Sequence, residues 1–231
     1  MTLLLIATRN LHKVGEIRLI LDDGFRFLTL ADFPLAPEVS EDAGTFAGNA
    51  VKKSLALAKW LSTESTELWA ASGPAFVLSD DSGLEVDALN GAPGVHSARF
   101  AALDGGVAGN SAPAANNAKL LKLLKDVPDS KRTARFRCVL ALTPVLKSRR
   151  EPASPVCYEN EFELATELFE GVCEGRIALE AQGAGGFGYD PLFIPDGCQK
   201  TFGELSEAIK NQISHRAKAL AKLRDRILRR I

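Results

Sequence analysis

Hydrophobic residues follow two different periods along this chain. Leu3 to Ala7 form a short, wholly apolar run with the length of a buried strand. In the segment from about Leu11 to Leu21, the apolar residues Val14, Ile17 and Leu21 recur at helical spacing and share one face. The N-terminal pattern therefore predicts a strand, a polar turn and an amphipathic helix.

The same two periods continue through the rest of the chain. The predicted helices cover about 45–61, 116–125 and 214–231, and the predicted strands cover 134–142, 161–169 and 174–179. Ser62 to Pro74 and Lys147 to Pro155 are polar or charged and are interpreted as loops. Because strands and helices are interleaved, we predict an α/β fold.

A cluster of polar and acidic residues interrupts the apolar pattern between Leu78 and Asp87. Asp80 and Asp81 follow an apolar run, and Ser82 and a glycine come next. The residues on either side predict two strands joined by a tight acidic turn. Carboxylate oxygens at a strand end suit Mg²⁺, and a carboxylate beside such an ion can deprotonate a water molecule. The alternative is a solvated hairpin turn, because Asp, Ser and Gly are common turn formers.

The polar turn before the first predicted helix is a second candidate site. Asn10 stands at the N-cap position of that helix, whose free backbone N–H groups and dipole favour an anion. Lys13 in the first helical turn would add a positive charge against phosphate oxygens. The segment lacks the GxxxxGK[ST] pattern of a Walker loop. The alternative is an ordinary capped helix with a surface lysine.

A glycine-rich segment from Gly183 to Phe193 contains the spacing GxGxxG. A dinucleotide-binding loop is rejected, because that motif must open a helix and here Pro191 and an apolar, strand-like run follow. Phe187 and Tyr189 favour a place where backbone and an aromatic face approach a flat ligand. The alternative is a structural hairpin.

A basic cluster lies just before the C-terminal helix or in its first turn. Lys210, His215 and Arg216 would offer several hydrogen-bond donors to one ligand. Taken alone, such a cluster is usually a solvated helix face.

Composition and charge exclude several classes of protein. The 231 residues carry a net charge of −1 and 46% of them are hydrophobic, so the chain has a sizeable core and no broad basic surface for nucleic acid. The N-terminal apolar run is too short for a signal peptide or a membrane span. The four cysteines are widely spaced and form no zinc-binding pattern. We therefore expect a cytoplasmic protein with reduced thiols that binds neither nucleic acid nor a membrane.

Several short motifs, taken in order, resemble the inosine triphosphate pyrophosphatase family, also called the Ham1 or RdgB-like family. The matching residues are Ala7-Thr8-Arg9-Asn10 with Lys13 and Glu16; Glu41, Thr45-Phe46, Asn49-Ala50 and Lys53; Asp80-Asp81-Ser82-Gly83-Leu84, Gly91-Ala92-Pro93-Gly94 and Ser97-Ala98-Arg99; Gly186 to Pro191; and Ser214-His215-Arg216. Each motif is weak alone, but the ordered set is specific and spans nearly the whole chain.

The resemblance implies a fold and an activity. The fold is an elongated mixed central sheet flanked by helices, with two lobes around a central substrate cleft, in a single domain over residues 1–231 and usually as a homodimer. The activity is Mg²⁺-dependent hydrolysis of non-standard purine nucleoside triphosphates (ITP, dITP and XTP) to the monophosphate and pyrophosphate, which cleanses the nucleotide pool.

The resemblance also implies a role for each matching residue. Asp81 matches the general base and a metal-associated carboxylate, Glu41 matches a carboxylate on the metal side, and Asp80 would assist it. The implied substrate-binding residues are Thr8, Arg9, Asn10, Leu11, His12, Lys13 and Lys53 for the triphosphate, Ser82 as a substrate contact, Phe187, Gly188, Tyr189 and Asp190 in the base-stacking loop, and Lys210, His215 and Arg216 for reading the base.

Two features depart from the family pattern. Arg9 and His12 stand where the family often carries glycine, and the segment after Glu41 is one residue shorter than usual. Two other functions stay open: a Maf-like pyrophosphatase for modified pyrimidine triphosphates, and a non-catalytic nucleotide-binding protein. The first would prefer UTP to ITP, and the second would bind ITP without releasing pyrophosphate.

Overall fold

The computed structural model describes residues 2–21, 24–64, 74–105, 109–146 and 165–228. Over these ranges the chain forms six β-strands and five α-helices. The strands are β1 (Thr2–Ile6), β2 (Phe25–Thr29), β3 (Ala75–Val86), β4 (Thr133–Pro144), β5 (Glu167–Ile177) and β6 (Phe193–Pro195). The helices are α1 (Leu11–Leu21), α2 (Phe46–Glu64), α3 (Pro113–Leu123), α4 (Glu207–Ile213) and α5 (His215–Leu228).

The described strands form one sheet in the order β2-β1-β3-β4-β5-β6. Strand β1 runs parallel to β2 and to β3, whereas β5 and β6 are antiparallel, so the sheet is mixed. In β1, Leu5 lies opposite Leu28 on one side and Val77 on the other. A strand with a parallel neighbour on each side is buried on both faces, which explains why β1 is an unbroken apolar run. The predicted α/β fold is confirmed.

The described residues divide into two compact units, each with its own core. The first unit draws on 1–81, 139–169 and 220–231, and the second on 82–138 and 170–219. In the first unit, Leu57 and Leu61 of α2 pack in a cluster with apolar residues of β1 and β3. In the second, Phe136 of β4 and Phe193 of β6 meet edge to face, with ring centroids 4.7 Å apart.

The prediction of an acidic hairpin at Asp80 and Asp81 is wrong. Strand β3 is continuous from Ala75 to Val86 and runs straight through both aspartates. Asp80 and Asp81 are only 1% and 6% exposed, and lysine side chains lie against their carboxylates. Because neighbouring ammonium groups compensate the two carboxylates, both residues can be buried within the strand and need not lie in a solvent-exposed turn. The chain turns later, at Asn90 and Gly91, whose φ angles are +53° and +85°.

Strand β5 replaces the two strands predicted over 161–169 and 174–179, of which residues 161–164 lie outside the described residues. Gly171 lies inside β5 without interrupting it. A Cβ at this position would lie 2.1 Å from the carbonyl oxygen of His215. The glycine therefore serves close packing of α5 on the strand and does not end the strand.

The C-terminal basic cluster is divided between two helices. Lys210 belongs to α4, which directly precedes the final helix, whereas His215 and Arg216 begin that helix, as the sequence predicts. Ser214 ends α4 because its backbone is extended (φ −66°, ψ 159°), and its hydroxyl then accepts a hydrogen bond from the N–H of Ala217 (3.1 Å), which caps α5.

Other boundaries differ in smaller ways. Helix α2 continues to Glu64, and Ser62, predicted to begin a surface loop, is buried within it. Strand β2 is short and half-exposed, so the hydrophobic pattern gives no signal for it. Residues 65–73 and the predicted loop 147–155 lie outside the described residues. Cys138, Cys173 and Cys198 carry reduced thiols, and Cys157 lies outside the described ranges. Within those ranges no helix is long and apolar enough to cross a membrane.

Candidate active site

The turn between β1 and α1 is a capped helix start. Asn10 Oδ1 accepts hydrogen bonds from the backbone N–H groups of His12 (3.0 Å) and Lys13 (3.4 Å), and the Thr8 hydroxyl accepts one from the N–H of Asn10 (3.2 Å). The predicted N-cap is therefore confirmed. Because Asn10 occupies these two amides, Lys13 supplies the charge that this turn would present to an anion.

Three of the residues assigned to the triphosphate are exposed. The Arg9 guanidinium is 64% exposed and lies 3.7 Å from Glu38 Oε1, an exposed ion pair of little energetic value. Leu11 is 80% exposed, and His12 is exposed beside it. These side chains are open to solvent, unlike that of Lys13, which points to β3.

Asp80 holds two lysines of the first unit. Its Oδ1 lies 2.5 Å from Nζ of Lys13, and its backbone carbonyl accepts a hydrogen bond from Nζ of Lys53 at 2.8 Å. Both lysine side chains are largely buried, with 15% and 11% exposed. The two cations come from α1 and α2 and meet at one residue of β3.

Asp81 is the buried carboxylate of this group. Its Oδ2 accepts a hydrogen bond from Asn49 Nδ2 (3.0 Å), and its Oδ1 lies 3.7 Å from Nζ of Lys53. Burial raises the pKa of Asp81 above its ordinary value, although Lys53, Lys13 and the Asn49 hydrogen bond oppose the shift and Glu41 adds to it. A carboxylate with a raised pKa beside two cations is suited to accept a proton.

Glu41 approaches the same lysine. Its Oε1 lies 3.0 Å from Nζ of Lys53, so one ammonium group contacts both Glu41 and Asp81, and Glu41 is 40% exposed. Among the described residues no group of three or more His, Cys, Asp or Glu side chains is arranged to hold a metal ion. Mg²⁺ commonly takes only one or two protein carboxylates and completes its shell with water and substrate phosphates, so Glu41 and Asp81 fit that mode.

Asn49 organises this group, and the sequence patterns alone assign it no role. Its Nδ2 donates to Asp81, and its Oδ1 accepts from the backbone N–H of Ala43 at 2.9 Å. It therefore fixes both Asp81 and the segment that follows Glu41. The available signal is its position one helical turn before Lys53 on α2.

In the second unit, Phe187 lies among cations. Nζ of Lys210 is 4.7 Å from the centre of the Phe187 ring, and the guanidinium carbon of Arg216 is 5.8 Å from it. The ring is half-buried and leaves part of its surface to solvent. This arrangement suits stacking of a flat ligand beside hydrogen-bond donors.

A buried ion pair fixes the loop that carries Phe187. Asp190 Oδ2 lies 2.6 Å from Nζ of Lys210 and accepts a hydrogen bond from the N–H of Phe187 at 2.7 Å. The two charged side chains are 3% and 5% exposed. Gly186 permits the turn, because its φ is +71° and a Cβ there would lie 2.1 Å from Asp190 Oδ2.

Arg216 and His215 lie at the start of α5. Arg216 is 1% exposed and donates a hydrogen bond from Nη2 to the hydroxyl of Ser82 (2.9 Å). The His215 ring stacks on Phe136 with centroids 4.7 Å apart and planes 12° apart. The predicted basic cluster is thus built into the core of the second unit, and the alternative of a solvated helix face is wrong.

Tyr189 has a different role from the one that the sequence predicts. Its side chain is 4% exposed within the apolar core of the second unit, and its hydroxyl donates to the Ser97 carbonyl at 2.9 Å. Burial raises the pKa of this phenol. Its aromatic face is therefore not open to a ligand, and Phe187 is the aromatic ring of the loop that is. Asn117, also unpredicted, donates to the Gly188 carbonyl at 3.2 Å and ties the loop to α3.

Comparison with known proteins shows the family of this chain. A family model described as the Ham1 family matches residues 4–226. The chain belongs to the Ham1 family. It is 44% identical over 229 residues to a dITP/XTP pyrophosphatase of Desulforamulus reducens, covering 99% of this chain and 96% of that protein. It is 42% identical to a dITP/XTP pyrophosphatase of Geobacter sulfurreducens, covering 98% and 97% of the two chains.

Solved Ham1 structures share the fold. The Ham1 protein of Staphylococcus aureus superposes with a TM-score of 0.74 at 33% identity, covering 99% of this chain and 100% of that one. A HAM1 protein from Coxiella burnetii gives a TM-score of 0.73 at 34% identity, covering 99% and 100%. These matches confirm the resemblance that the ordered motifs indicate.

Proposed function

We propose that this Ham1 protein is a Mg²⁺-dependent pyrophosphatase that converts dITP, XTP and ITP to their monophosphates and pyrophosphate. The observation that carries the proposal is Asp81, a buried carboxylate with a raised pKa that contacts Lys53 and is hydrogen-bonded to Asn49. Relatives over 40% identical along nearly the whole chain are dITP/XTP pyrophosphatases, which supports the substrate class.

Lys13 and Lys53 would hold the phosphates. Their ammonium groups supply the positive charge, because the Asn10 side chain occupies the amides of His12 and Lys13 at the start of α1. Asp81 and Glu41 would hold Mg²⁺ together with substrate oxygens. When bound, the ion would neutralise charge that develops on the phosphates.

Asp81 would act as the general base. It would take a proton from a water molecule whose oxygen bonds to the α-phosphorus, while the bond from the α-phosphorus to the bridging oxygen breaks and pyrophosphate leaves with the bonding electron pair. Lys13 and Lys53 would stabilise the charge on the leaving pyrophosphate.

Phe187, Lys210 and Arg216 would bind the purine. Phe187 would offer its ring for stacking, and the two cations beside that ring would donate N–H groups to the 6-oxo group of hypoxanthine or xanthine. The 6-amino group of adenine is itself a donor and would leave those donors without an acceptor. Because unsatisfied buried donors are costly, ATP should be a poor substrate.

A substrate panel tests the proposal. Pyrophosphate release is measured from dITP, XTP, ITP, ATP and UTP, with Mg²⁺ and with EDTA. The proposal predicts fast, Mg²⁺-dependent release from the first three and little from the others. Preference for UTP would favour the Maf-like alternative. Stabilisation by ITP without release would favour a binding protein. We also propose a homodimer, for which light scattering during size-exclusion chromatography should give twice the mass of one chain.

A further inference from the structure

Asp80 is the most buried of the three carboxylates that are described above in contact with Lys13 or Lys53. Its side chain is 1% exposed, whereas those of Asp81 and Glu41 are 9% and 40% exposed. A metal ligand must present a carboxylate oxygen to an ion that also carries water and substrate phosphates. Asp80 faces the ammonium group of Lys13 at 2.5 Å instead.

Asp80 also contacts the second lysine through a different atom. Its carboxylate engages Lys13 of α1, and its backbone carbonyl accepts from Lys53 of α2 at 2.8 Å. One residue of β3 therefore restrains both long lysine side chains, of which Lys53 also contacts Glu41 and Asp81. When such side chains are already fixed before a ligand arrives, less conformational entropy is lost on binding.

We propose that Asp80 is a positioning residue that holds Lys13 and Lys53 for a polyphosphate ligand and is not a metal ligand. An ammonium group has three N–H donors, so Lys13 can keep its bond to Asp80 and still donate to phosphate oxygens. Release of Lys13 would leave a buried carboxylate without its cation, which is strongly unfavourable. Lys13 therefore stays on Asp80 when phosphate binds. This inference rests on the proposed function, because it assumes that these lysines meet phosphates.

The first test is a double-mutant cycle on tripolyphosphate binding, measured by calorimetry in EDTA so that no metal contributes. Asp80→Asn and Lys13→Ala should each weaken binding about tenfold, and the double variant should bind no more weakly than Lys13→Ala. Lys52→Ala is the matched control, because Lys52 lies on the same helix as Lys53 and pairs with the exposed Asp42, and its binding should be unchanged. Mn²⁺ affinity without phosphate should fall in Asp81→Asn and stay unchanged in Asp80→Asn.

Three results would overturn the inference: additive losses in the cycle, tighter binding by Asp80→Asn, or loss of Mn²⁺ affinity in that variant. A crystal structure of the wild type with tripolyphosphate gives a second test that needs no variant. It should show Lys13 in contact with both Asp80 and a phosphate oxygen, and a Lys13 that has moved away from Asp80 would contradict the inference. Wild-type turnover of dITP is measured in parallel. If wild type hydrolyses dITP but the losses in the mutant cycle are additive, only the proposed role of Asp80 is contradicted. If wild type neither binds tripolyphosphate nor hydrolyses dITP, the proposed function is contradicted as well.

Discussion

The ion pair between Asp190 and Lys210 allows a quantitative prediction for the second unit. Both side chains are at least 95% buried, and Asp190 also accepts the N–H of Phe187. Asp190→Ala would leave the Lys210 ammonium in the core without its carboxylate. Breaking a buried pair in this way costs about 3–5 kcal/mol of unfolding free energy. For a chain of this length, about 2–4 °C of melting temperature is lost per kcal/mol, so the expected loss is roughly 6–20 °C.

Urea unfolding and thermal denaturation measure this loss. The double variant Asp190→Asn with Lys210→Met keeps an acceptor for Phe187, removes both charges and should recover most of the stability. Asp42→Ala removes a carboxylate from an exposed ion pair and is the control, with no measurable change expected. A loss below about 1 kcal/mol in Asp190→Ala, or a double variant as unstable as the single one, would refute the reasoning.

Three further predictions follow from the geometry. The pKa of Asp81 is raised, and a general base must be deprotonated to act, so if Asp81 is the base the acid limb of kcat/KM should lie at a higher pH than for an ordinary aspartate. By linkage, the raised pKa favours the folded state below the ordinary pKa, and this benefit is lost as pH rises. The stability of Asp81→Asn relative to wild type should therefore increase with pH, and a stability difference that does not change with pH would contradict this. Gly186→Ala places a Cβ 2.1 Å from Asp190 Oδ2 and should lower stability and raise KM, whereas Gly197→Ala has a similar φ (+79°) and no atom within 4 Å, so the difference between the two variants measures the clash. Burial raises the pKa of Cys173 to about 11, so iodoacetamide should label the half-buried Cys198 before Cys173 in the native protein, and the reverse order would count against the described packing.

The sequence predicts best what depends on local pattern. The strand from Leu3, helix α1 with its Asn10 cap and the burial of Val14, Ile17 and Leu21 all follow from periodicity and capping rules. Long-range contacts decide the rest. From the local sequence, Asp80 and Asp81 resemble turn residues. In the fold, Lys13 of α1 contacts Asp80 and Lys53 of α2 contacts Asp81, and these pairs are 67 and 28 positions apart, too far for a local sequence pattern to indicate.

The same limit explains the aromatic residues of the glycine-rich loop. Phe187 and Tyr189 are both aromatic and two positions apart, so the sequence treats them alike. The structure separates them because the Tyr189 hydroxyl finds the Ser97 carbonyl in the core, while the Phe187 ring remains half-buried beside Lys210. The order of several weak motifs along the chain indicates the family even where the prediction for a single residue is wrong.

The most direct test of the proposed mechanism is hydrolysis of dITP by wild type and Asp81→Asn in water enriched in oxygen-18, with products resolved by mass spectrometry. If water attacks the α-phosphorus and Asp81 takes its proton, as we propose, we expect one labelled oxygen in the monophosphate, unlabelled pyrophosphate, and loss of turnover in the variant. Label in the pyrophosphate, release of inorganic phosphate, or near-normal turnover by Asp81→Asn would contradict it.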